Sequence, residues 1–172
     1  MFLSLEELMM NNTQIVFIGL FFLFLQILLV DILSINLIRP DFLLIFILYL
    51  SITKGRLYGT IIGFSVGIIS NLFGVGSYFG LEPLSLTLVG YTGGYLKNMY
   101  EKVLPYIFHM LWILIVLLHF LIICYIRFQN IYISNLLEFS ILWLYTTSYT
   151  MLFIISIQFI YPFKEASNAE IS

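Results

Sequence analysis

Between Pro105 and Ile126 the chain reads PYIFHMLWILIVLLHFLIICYI, without one Asp, Glu, Lys or Arg. A bilayer core takes about 20 such residues to cross as helix. In hydrocarbon a backbone must satisfy its own hydrogen bonds, which commits a segment of this kind to helix. Composition extends the constraint to the whole chain. Of 172 residues, 62% are hydrophobic and 9% charged, against roughly 25% charged in a soluble domain. Too few charges remain to wet the surface of a globule. The expectation is an all-α integral membrane protein, a single polytopic domain over residues 1–172.

Hydropathy and turn signals place about six spans, at roughly 14–33, 40–53, 57–73, 82–96, 104–126 and 137–161, in one compact bundle. The first, fifth and sixth have full bilayer length. The second is short after the Arg39-Pro40 break, and is expected to tilt little, thin the membrane or be shielded by its neighbours. At the amino terminus, Glu6 and Glu7 stand where a signal peptide needs Lys or Arg. No small-residue cleavage site follows, so the first span is expected to be retained. With that terminus in the cytoplasm, Lys54, Arg56, Lys97, Lys102 and Lys164 lie inside, and only Arg39 and Arg127 outside. The positive-inside bias therefore puts both termini in the cytoplasm. The tail KEASNAEIS is short and polar, and no soluble domain is expected.

Chemistry-bearing groups are sparse. The charges Asp31, Arg39, Asp41, Lys54, Arg56, Glu82, Lys97, Glu101, Lys102, Arg127 and Glu138 all fall near span ends. His109 and His119 share one span, and ten residues of helix separate them by about 15 Å, too far to hold one metal. Each is expected to face a neighbouring helix or the interface. Cys124 is the only cysteine, which gives no disulfide framework and no metal site. No nucleophile–base pair, HExxH, Walker or GxSxG pattern occurs. The net charge of −2 excludes a strongly basic nucleic-acid binder. The expectation is a protein with no catalytic residues, no metal and no cofactor.

The strongest internal pattern is GRLYGTIIGFSVGIISN, where Gly55, Gly59, Gly63 and Gly67 recur every fourth residue and Asn71 takes the next step. Fourth residues drift only about 40° around a helix, so these glycines make a shallow groove along one face. Between membrane helices, small residues allow backbone approach, with van der Waals and Cα–H···O contacts supplying the attraction. Gly90 and Gly94 repeat the spacing in the next span. The two faces are expected to pack on each other; the alternative is a groove that receives a partner's helix. Asn71 is expected to hydrogen-bond a neighbouring backbone or cap its helix, with Ser70 and Gly74 in support. Gly74, Gly76 and Gly80 suit a tight outer turn, and Glu82-Pro83 suits a helix start. Arg39 and Asp41, on either side of Pro40, are read as a local ion pair that fixes the start of the second span.

The stretch RPDFLLIFILYLSITKGRLYGTIIGFSVGIISNLFGVGSYFGLEPLSLTLVGYTGGYLK, residues 39–97, resembles the MreD family, the small membrane subunit of the bacterial rod-shape complex, or elongasome. The order matches: Arg-Pro-acid opening an apolar span, a short basic turn, a Gly-rich span, a glycine loop, and a Leu-rich span closing on Gly-Tyr. The family usually has aspartate where this chain has Asn71. The substitution keeps size and shape and removes the charge, which implies a structural role at that position. The resemblance implies a non-enzymatic scaffold in the bacterial cytoplasmic (inner) membrane that binds MreC and helps couple MreB filaments to peptidoglycan synthesis. RodA and a class B penicillin-binding protein belong to the wider complex. It also implies a six-helix arrangement like the S component of energy-coupling-factor transporters. That gives the alternative function, a vitamin-binding transporter subunit. Under the scaffold reading, the helix-packing or partner interface is Gly59, Gly63, Gly67, Asn71, Gly90 and Gly94. The outer-face contact for MreC is Arg39, Pro40 and Asp41.

Overall fold

The computed structural model describes residues 12–73 and 78–168, and every regular element among them is helical. The order is α1 (Asn12–Leu33), α2 (Phe42–Lys54), α3 (Arg56–Leu72), α4 (Leu81–Gly93), a 3-10 turn (Gly94–Leu96), α5 (Pro105–Arg127), α6 (Gln129–Ser134), α7 (Leu136–Ile160) and α8 (Phe163–Asn168). Three of these, α1, α5 and α7, are long and apolar enough to cross a membrane. Gly74, Gly76 and the Glu6/Glu7 stretch lie outside the described residues.

The short second helix sits at the centre. Leu43, Leu44, Ile45, Ile47, Leu48 and Ile52 are fully buried, so α2 is covered on every side. A helix that is hydrophobic all round belongs in such a position. Of the options that its length left open, shielding by neighbours is the one observed. Asp41 starts α2 as its N-cap, with Oδ1 accepting from the Leu44 N–H at 2.8 Å. Gly55 ends it at φ +91°, a conformation that favours glycine. The chain then enters α3 at the next residue.

α3 and α4 meet along the glycine stripe. A Cβ on Gly59 would lie 2.6 Å from the Gly90 carbonyl oxygen, one on Gly63 2.7 Å from that of Leu86, and one on Gly67 2.5 Å from the Pro83 Cα. From the other side, a Cβ on Gly90 would collide with the Gly59 carbonyl, and one on Gly94 with the Arg56 backbone. Lipid tails are as apolar as leucine, so this close backbone approach supplies attraction that burial alone does not. The buried face continues through Val66 and Ser70, while Asn71 is only half-buried. Four-residue steps drift around the helix, and the packed line returns through a three-residue step. Asn71 thus departs from its expected place. Neither atom of its amide has a hydrogen-bond partner, and the hydroxyl of Ser70 takes the contact to α4 instead.

α5 presents Phe108, Trp112, Val116, His119, Phe120, Ile123 and Cys124 inward, at helical spacing. α7 does the same with Phe139, Thr146, Thr147, Thr150 and Ile154. The first part of the polar tail folds back within α8, with Phe163, Ala166 and Ser167 buried. The Ser167 hydroxyl donates to the Leu96 carbonyl at 2.9 Å, and the Asn98 N–H donates to the Ser167 carbonyl at 2.9 Å. Phe163 packs on Tyr49 and Trp112. The exposed Lys164 and Glu165 give the segment its polar average and hide the buried face behind them. These contacts, with the Lys97 Nζ to Lys54 carbonyl bond at 3.4 Å, gather Lys54, Lys97 and α8 at one end of the bundle.

Candidate functional site: a buried polar cluster

Polar side chains inside an apolar bundle must find one another, because an unpaired buried group costs about 1–3 kcal/mol. At the end away from the lysines they converge on the start of α2. Asp41 Oδ2 lies 3.0 Å from His119 Nε2 on α5. The Asp41 N–H donates to Thr150 Oγ1 on α7 at 3.2 Å, and the next N–H, of Phe42, to Gln26 Oε1 on α1 at 2.8 Å. One turn of backbone therefore ties four helices together. Alongside, Glu82 in the first turn of α4 accepts at Oε2 from the Ser70 hydroxyl of α3 at 2.8 Å. Asp41, Glu82 and His119 are each about nine-tenths buried or more.

A cavity of about 30 Å³ lies between these groups, walled by Gln26, Asp41, Glu82, Arg127 and Thr146, with Arg39 among its outer lining. It admits a water molecule or two, an order of magnitude below the roughly 300–1,000 Å³ of a small-molecule pocket. The Arg39 side chain is 45% exposed, so the cavity reaches the protein surface at this end. With the Asp41 carboxylate as acceptor, His119 Nε2 is the donor. Its Nδ1 is buried without a hydrogen-bond partner, as is Arg127 Nε.

The predicted residues divide between two places. Gly59, Gly63, Gly67, Gly90 and Gly94 line the α3–α4 contact, with Asn71 beside its outer end. Arg39, Pro40 and Asp41 all line the cavity, but the expected Arg39–Asp41 ion pair gives way to two others. Arg39 Nη1 pairs with Asp31 at 3.7 Å at the surface, while Asp41 turns inward to His119. The N-cap geometry accounts for this, since it already points the Asp41 carboxylate along α2 and into the bundle. His109, by contrast, accepts at Nδ1 from Trp112 Nε1 at 2.9 Å on its own helix. Gln26 and Thr150 carried no distinguishing signal in the sequence. His119 did carry one, since it falls on the buried stripe of α5.

No protein-family model, no curated protein and no solved structure matches the chain.

Proposed function

We propose that the protein is a non-enzymatic membrane scaffold of the MreD type. In this reading it spans the bacterial cytoplasmic membrane six times, with both termini inside and the arrangement of a transporter S component. It binds MreC and helps couple MreB filaments to the RodA and penicillin-binding synthases. The observation that carries the reading is the close-packed α2–α4 unit. These helices come from the segment that resembles MreD, and their backbones touch along the glycine seam around a fully enclosed α2. A scaffold needs no ligand chamber; the 30 Å³ cavity is too small for a vitamin, and the roomier groove of about 410 Å³ on α5 is lined by apolar side chains alone. Since α4 fills the glycine groove, the surface left for MreC is elsewhere. The exposed Asp31–Arg39 pair at the outer end is the charged feature next to the predicted contact.

Co-expression with MreC of the same bacterium tests this. MreC is expected to co-elute with the tagged, detergent-solubilised chain, and Arg39→Glu is expected to cut its recovery several-fold while the chain stays monodisperse. A folded wild-type chain that recovers no MreC overturns the scaffold reading. Thermal stabilisation by micromolar thiamine, riboflavin or biotin would put the transporter subunit in its place.

A further inference from the structure

The polar cluster is not balanced in charge when all its groups ionise in the ordinary way. Asp41 and Glu82 bring two carboxylates to one cavity wall, and Arg127 brings one guanidinium. The Arg39–Asp31 pair at the mouth cancels itself. The remaining neighbours, Gln26 from α1, Ser70 from α3, Cys124 from α5, and Thr146 and Thr150 from α7, are uncharged. His119 spends its Nε2–H on Asp41. A net negative charge in so confined an apolar space is costly, and uptake of one proton removes it.

We propose that Glu82 is a proton-binding site at this end of the bundle, holding a proton at neutral pH and exchanging it with the aqueous phase through the Arg39-lined cavity. The hydrogen bonds select Glu82 among the three candidates. The Asp41 carboxylate already has two partners, the Leu44 N–H and His119. A proton added to His119 would make a buried cation of a ring whose Nδ1 has no partner, whereas one added to Glu82 leaves a neutral acid. Glu82 accepts from the Ser70 hydroxyl and shares the cavity lining with the Asp41 carboxylate. Its proton leaves Asp41 and Arg127 as a balanced pair. Among the described residues no three His, Cys, Asp or Glu side chains converge as metal ligands. The site sits where α3 and α4 meet at their outer ends, and its occupancy would bias the contact between them.

The full-length chain in detergent gives two readouts. Infrared spectra at neutral pH should show the carbonyl stretch of a protonated carboxylic acid, which side-chain ¹³C-glutamate labelling shifts and Glu82→Gln abolishes. The melting temperature supplies the second. A folded state that keeps a proton the unfolded carboxylate has released loses stability as pH rises above about 4.3, the ordinary glutamate value. The wild type should therefore melt lower at each step from about pH 4.3 up to the pH at which folded Glu82 releases its own proton, and Glu82→Gln, which imitates the protonated acid, should remove that slope. Absence of the band, or a band unmoved by glutamate labelling, overturns the proposal even if the variant does not fold. A folded Glu82→Gln whose pH slope matches the wild type overturns it as well.

Discussion

Asp41 divides its two oxygens between two tasks, Oδ1 capping α2 through Leu44 and Oδ2 meeting His119. The tasks separate by substitution. Asp41→Asn keeps a capping oxygen and an amide that can pair with the other histidine tautomer, so it should cost about 1 kcal/mol or less. Asp41→Ala loses the cap and strands the His119 ring nitrogen, for about 2–4 kcal/mol in all. Thermal unfolding in detergent should rank wild type, Asn and Ala in that order. Equal melting of the two variants would remove the cap from the account. At this scale the sequence was partly legible. An acid after Arg-Pro at the start of an apolar run is a recognisable cap, and His119 repeats the spacing of its buried neighbours. Their pairing was not legible, because 78 residues separate them and local patterning carries no distance between helices.

Among the helices, the α3–α4 seam makes the sharpest prediction. Gly90→Ala and Gly59→Ala each drive a methyl group into the facing backbone carbonyl, which cannot rotate away. Each should cost about 1–3 kcal/mol, the range for overpacking a close contact. Gly19→Ala is the control, since its methyl meets only the Phe46 ring, at 3.2 Å, and a side chain can shift. Size-exclusion profiles after stepwise heating should show Gly19→Ala surviving well above the other two. A Gly90→Ala protein as stable as Gly19→Ala would mean that the two helices lie farther apart than described here. The stripe itself is plain in the sequence, because four-residue spacing is a property of one helix. Whether α4 or a second protein fills the groove depends on the α3–α4 turn and on the Pro83 backbone against Gly67. The burial of α8 was hidden for a related reason. Its contacts come from every third or fourth residue of a segment too short to average as amphipathic.

Over the whole molecule, charge asymmetry between the ends gives a prediction about orientation. In a Cys124→Ala background, a membrane-impermeant maleimide added to intact cells should label Ser134→Cys and leave Lys102→Cys unmodified until lysis. The reverse pattern would invert the proposed topology. Lys97 and Lys54 are joined at one end, while Arg39 and Arg127 border the cavity at the other. The positive-inside rule acts on such a difference. The same arrangement separates the functional proposals in space. The Arg39 end holds the cavity, the buried acids and the exposed Asp31–Arg39 pair, so a partner there and a proton at Glu82 would meet at one surface.

By itself the sequence determined that this chain is helical and apolar, where its long helices run, and that one helix face is stripped of side chains. All three follow from interactions within about one turn of the chain or from composition. Tertiary structure decided that α2 lies at the centre, that α4 occupies the glycine groove, and that Gln26, Asp41, Glu82, His119, Arg127 and Thr150 meet. The physical reason is the cost of burying polar groups alone. Several apolar helices can be packed in many ways, but few of those give a carboxylate, an imidazole and the first N–H groups of α2 the partners they need.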